Sequence, residues 1–186
     1  MRRFIITTCR RPGRRLRSFV KDLIKVLPGG IRITRGKQSL DDLAVLAQSL
    51  GVNLMMIVDS MKGNPARFRF FEVKSFTYEE LSFKILFSGI KLIREIPNSD
   101  LPSKVSSCII ATYENAYDDV RFLCEKLANL FDLPYIEAES VELLKGMADT
   151  IMWISPSKMD LAKIIFINGK SGKTIGPILR VRKVIP

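Results

Sequence analysis

The sequence predicts an α/β fold made of two pseudo-repeated β-α-β-α-β-β halves, and three observations predict it. Short apolar runs alternate with segments of helical periodicity. A chain of 186 residues, 47% of them apolar, can bury one substantial core. The pattern of the first half then returns in the second at a nearly constant offset.

Residues 4–8 read as a buried strand. Arg2 and Arg3 ahead of Phe4 invite comparison with a signal peptide, but the apolar stretch is too short and runs straight into Arg10, Arg11, Arg14 and Arg15. Residues 16–27 read as a helix with Leu16, Phe19, Val20, Leu23 and Leu27 along one face, ended by Pro28, Gly29 and Gly30. A short strand at 31–34 follows, then a helix opened by Ser39 with Asp42 three residues on, and a stop at Gly51. Strands at 54–58 and 67–73 flank a turn around Gly63, Asn64 and Pro65.

At an offset of 104, residues 108–112 match 4–8, and Val120, Leu123, Cys124, Leu127 and Phe131 fall on the apolar face of the first helix. Residues 135–138 match the second strand. After a shortened helix near 141–147 the offset becomes 96, aligning 149–154 with 53–58 and 164–167 with 68–71. Extra strands are expected at 82–88, 91–96 and 178–184. The chain therefore reads as a single domain, 1–186, of halves 1–98 and 104–186 joined near 98–104.

Charge is unevenly placed. The net charge is +11, yet residues 1–37 hold twelve Lys or Arg against the single acid Asp22. Residues 38–157 hold eleven bases and seventeen acids, and residues 158–186 seven bases and one acid. Basic ends around an acidic middle point to a polyanionic partner, nucleic acid before membrane. No apolar run approaches the roughly 20 residues needed to span a bilayer. Cys9, Cys108 and Cys124 make no paired framework, and the absence of histidine removes the usual zinc ligand sets. A reducing, cytoplasmic setting with no structural metal and no cofactor is expected.

Arg14, Arg17, Lys21 and Lys25 are spaced by three and four residues, so they form one stripe opposite the apolar face. Such a stripe alone is compatible with a plain solvated surface. Before it, Arg10, Arg11, Arg14 and Arg15 surround Pro12-Gly13 where a strand hands over to a helix N-terminus, a place that favours anions. Arginine forks there suit phosphates. Arg180, Arg182 and Lys183 in the last strand extend the candidate set. Phe68, Phe70, Phe71, Phe83 and Phe87 suit base stacking or core packing, and the glycines of an RRM signature are missing around them.

Two enzyme-like patterns need weighing. Residues 169–174 end like a Walker A loop, but Ile167 stands where the first glycine belongs and Gly176-Pro177 denies the following helix, so a hairpin turn is expected. Cys9 and Arg15 have the spacing of a tyrosine phosphatase loop, in which a thiolate and an arginine share a phosphate. Leu16 stands where that loop carries Ser or Thr, and no acid for the leaving group is identifiable.

The run Ile5-Ile6-Thr7-Thr8-Cys9-Arg10-Arg11-Pro12, with Arg14, Leu16, Arg17, Ser18, Phe19, Lys21, Asp22 and Leu23, resembles the opening of Brix-domain proteins. Arg35-Gly36-Lys37 and Gly176-Pro177 with Arg180 and Arg182 resemble the family's later signatures, and Cys9 stands where a serine is common. The resemblance covers nearly the whole chain, and is to a stand-alone archaeal form similar to the small-subunit processome branch. It implies two halves each similar to the anticodon-binding domain of class II aminoacyl-tRNA synthetases. It also implies a ribosome-biogenesis role without a catalytic site. The partners would be ribosomal or pre-ribosomal RNA and other ribosome-assembly proteins, with no small-molecule substrate. The RNA-binding residues expected are Arg10, Arg11, Arg14, Arg15, Arg17, Lys21, Lys25, Arg180, Arg182 and Lys183. A protein-binding scaffold, through the acidic middle, is the other non-enzymatic reading.

Overall fold

The computed structural model describes residues 1–75, 77–102 and 105–186. The first apolar run forms β1 (Phe4–Thr8), buried at every position because helices cover both faces of the sheet there. The chain crosses one sheet face as α1 (Arg14–Val26) to reach β2 (Gly30–Arg32), then returns across the other as α2 (Leu40–Ser49) to β3 (Leu54–Met61). β2 and β3 both pair parallel to β1. Ser39 opens α2 with a reciprocal cap: its hydroxyl accepts from the Asp42 N–H at 3.0 Å, and its own N–H donates to the Asp42 carboxylate at 2.8 Å.

β3 turns into β4 (Asn64–Lys74), and β4 is followed by β5 (Thr77–Lys91), all antiparallel. The turn residues are Lys62 and Gly63, both with positive φ, so the turn sits one residue earlier than expected and Pro65 belongs to β4. The strand expected at 82–88 lies inside β5. That expected at 91–96 is not a strand: Glu95 folds back onto the Leu92 N–H at 3.0 Å, and Ile93–Glu95 form a 3₁₀ turn.

In the second half β6 (Cys108–Tyr113), α3 (Asp118–Phe131) and β7 (Tyr135–Ala138) are followed by a 3₁₀ turn at Val141–Leu144 in place of a second helix. β8 (Thr150–Pro156), β9 (Ala162–Asn168) and β10 (Ile178–Ile185) complete the sheet. The ten strands lie in the order β2-β1-β3-β4-β5-β10-β9-β8-β6-β7. The connector expected at 98–104 falls partly outside the described residues, at Ser103 and Lys104. Among the described residues no helix is long and apolar enough to cross a membrane.

The face under α1 and α3 carries one continuous core, in which Phe4, Phe19 and Phe70 from the first half meet Leu127, Phe131 and Phe166 from the second. The Phe4 and Phe131 rings are 4.8 Å apart. Phe68, Phe70, Phe83 and Phe87 are buried in this core, and Phe71 in a smaller one under α2, so all five are packing residues with no face free for a base. Val141 and Leu144 pack with Ile109 and Trp153 on the same sheet face as α2, at the other end.

Asp149 ties β8 to the segment before β6. Its carboxylate accepts the backbone N–H and hydroxyl of both Ser106 and Ser107, at 2.7 to 3.1 Å. These bonds, led by those from Ser106, hold its pKa down at about 2. The carboxylate therefore contributes stability above the ordinary carboxyl range, and that contribution is lost as pH falls from about 4 through about 2. Asp149→Asn is expected to be less stable at neutral pH and to lose less stability on acidification, as read from urea midpoints between pH 7 and 2.

Candidate nucleic-acid interface

The α1 sequence sorts its side chains by period. Leu16, Phe19, Val20, Leu23 and Val26 are buried, which turns Arg14, Arg17, Lys21 and Lys25 outward, all exposed. Arg10 and Arg11 are exposed on the loop leading in. None of these six cations forms an ion pair among the described residues. The helix start adds to the imbalance. Gly13 supplies no side-chain cap and the first turn holds no acid, so Arg14 and Arg15 sit at the positive end of the helix dipole. At the matching place α3 carries Asp118 and Asp119. Two cations on a helix N-terminus are unfavourable by about 0.3–1 kcal/mol each, and a bound anion reverses that sign.

Arg15 stands apart from the expected set. Its guanidinium grips both carboxylate oxygens of Glu95, one at 2.8 Å, and donates to the Ile90 carbonyl at 3.0 Å. Hydrogen bonding to Arg15 holds the Glu95 carboxyl below its usual range. Asp22 accepts the Ile93 N–H at 3.1 Å, so Arg15 and the single acid of the first 37 residues together staple the 92–95 segment to α1. Cys9 Sγ faces Ser60 Oγ at 3.5 Å. With the arginine on Glu95 and the thiol on Ser60, the shared phosphate pocket of a phosphatase loop is not the arrangement here. Residues 169–174 form a tight turn, in which Asn168 and Lys173 pair through backbone at 2.8 Å, and they lead into β10 without a helix.

The C-terminal cations lie elsewhere. Leu179 and Val181 point into the α1/α3 core, so Arg180 between them points to the opposite sheet face, where it lies over Gly89. With Lys91 and Lys163 it lines a cavity of about 440 Å³. Arg182 is exposed at a register shift between Val181 and Lys183, and Lys183, paired with Leu86, returns to that opposite face. The structure thus divides the expected residues between two surfaces rather than joining them in one.

Three cations that charge counting pooled without placing join the loop and helix: Arg32, Arg35 and Lys37 gather beside Arg10 and Arg17 around a second cavity. Arg35 is 7% exposed. The clustering of bases at 32–37 is the signal that could have placed them.

No family model matches the chain. A "Probable Brix domain-containing ribosomal biogenesis protein" of Thermococcus kodakarensis is 40% identical over 98 residues, 53% of this chain and 47% of that protein. The match thus spans about half the length of that relative. A protein of the same description from Pyrobaculum aerophilum is 28% identical over 97% of this chain and 94% of its own length. The crystal structure of a probable ribosomal biogenesis protein from Aeropyrum pernix superposes with a TM-score of 0.79 at 27% identity, covering 98% of this chain and 97% of that one. Nearly end-to-end agreement in sequence and in backbone, with the motif around Arg10 to Leu23 at its start, makes the chain similar over its whole length to archaeal Brix-domain ribosomal biogenesis proteins.

Proposed function

We propose that this protein is a ribosome-biogenesis factor that binds ribosomal or pre-ribosomal RNA through the 10–13 loop and the outward face of α1, without catalytic chemistry of its own. One observation carries the reading: Arg10, Arg11, Arg14, Arg17, Lys21 and Lys25 lie along the 10–13 loop and the exposed side of α1, whose own first turn carries no acid, and none of the six has an ion pair among the described residues. Such a surface gains most from a chain of phosphates. The relatives' descriptions as ribosomal biogenesis proteins support the choice of RNA. Phosphate contacts position without reading bases, so the mechanism is chaperoning of RNA structure, by holding strands where they can pair or fold. The identical strand order read inward from either edge supports a duplicated α/β unit as its scaffold.

The experiment is binding to a small-subunit ribosomal RNA fragment by the native chain and by the Arg14→Gln, Arg17→Gln, Lys21→Gln triple variant. Loss on the order of 100-fold at low salt is expected, since three phosphate contacts go. Equal binding by both would remove α1 from the interface.

A second reading has its own surface. Around the start of α3, Glu114, Asp118 and Asp119 accompany Tyr117, which is 74% exposed, an acidic and aromatic patch suited to a basic protein. An adaptor working through this patch would still join pre-ribosomal particles after the triple substitution.

A further inference from the structure

The cavity at the carboxyl ends of β1 and β2 is lined by both apolar and basic side chains. Pro12, Val20 and Ile33 line it together with Arg10, Arg17, Arg32, Arg35 and Lys37, with no acid among its lining residues. Its volume, about 330 Å³, lies at the lower end of the range for small-ligand pockets, about 300–1,000 Å³. That is room for a single nucleotide and not for a duplex.

Arg35 is the informative residue. It is 93% buried by area, and among the described residues its guanidinium makes one hydrogen bond, from Nε to the Gln38 carbonyl at 3.2 Å. Among the described residues the terminal nitrogens form no hydrogen bond or ion pair, and they are not fully enclosed. Burial, then the neighbouring charges of Arg10 and Arg69, push its pKa down, and the carboxylate that opposes them, Asp59, is already held by Arg67 and Arg69 at 2.7 Å each. A largely buried guanidinium among like charges, with no carboxylate of its own and its terminal nitrogens open to the cavity, is placed to meet an anion there.

We infer that this cavity seats one unpaired nucleotide of the bound RNA, its phosphate against Arg35, Arg10 and Lys37 and its base on Pro12, Val20 and Ile33. The inference rests on the RNA-binding reading and deepens it. The outer helix stripe holds phosphates of any strand, whereas the cavity admits only a nucleotide that has left its stack. The protein would thereby prefer RNA with unpaired residues over RNA fully paired.

The test compares two RNAs of equal length and charge, a hairpin with a single-stranded loop and a fully paired duplex, against the native chain, Arg35→Gln and Thr34→Trp. Thr34 is exposed at the cavity, so tryptophan there fills the space and leaves every charge in place. The native chain is expected to prefer the loop by about tenfold, the scale of one seated base, and both variants to bring the ratio near one while duplex affinity holds. Should Arg35→Gln fail to fold, judged by its melting transition, Thr34→Trp decides alone. Equal native affinity for both RNAs, or a preference that survives Thr34→Trp, overturns the cavity assignment and leaves the stripe standing. Native failure to bind either RNA overturns the RNA reading itself.

Discussion

Raising the salt from about 50 to 200 mM is expected to weaken RNA binding by about a thousandfold, because roughly six phosphate contacts release their counterions and each adds about 0.9 to the log–log slope. The six cations of the loop and α1 supply that number without Arg15, whose charge is spent on Glu95. The triple glutamine variant should show a slope smaller by about half, since three of the six contacts go. A titration of affinity against salt for both proteins reads this directly. A flat native slope would mean that the basic surface meets water, not phosphate.

Phe70→Ala is expected to cost about 3–5 kcal/mol, the range for removing a fully buried aromatic ring. Phe70 is 0% exposed and lies 5.6 Å from the Phe83 ring and 6.2 Å from those of Phe68 and Phe131. Phe131 belongs to α3, so the lost ring is a contact between the two halves as well as within one. Urea unfolding should therefore show a lower midpoint with a single transition retained. Two separated transitions would mean that the halves are held by less than the shared core implies. A shift worth under about 1 kcal/mol would mean that the ring is not tightly packed.

Period and punctuation made most elements legible. The 16–27 spacing marked α1, Ser39 with Asp42 marked the start of α2, and the offset of 104 brought Val120, Leu123 and Cys124 onto the buried face of α3. The 91–96 stretch misled because Ile93 and Ile96 suggest a strand, while a long-range pair, Arg15 with Glu95, decides the turn. The same pair explains why Arg15 could not be told from Arg14: adjacent arginines look alike until the partner, eighty residues away, is placed. Arg180 and Lys183 were legible as exposed but not as facing away from α1, because strand alternation gives two faces without saying which one the helix covers. Arg35 was legible only as a motif residue; its place in the fold depends on Gln38 folding back onto its guanidinium.

The position of β10 has a consequence for the order of events during synthesis. It follows the other nine described strands in the chain, yet it lies in the middle of the sheet between β5 and β9. Until it emerges from the ribosome, β5 lacks its partner on that side, and residues 84–91 present an unpaired edge. The sheet thus waits on β10, and the nascent chain stays open to wrong pairing until then. Lys84 and Lys91, on that edge, are the charges that discourage such pairing in the interval.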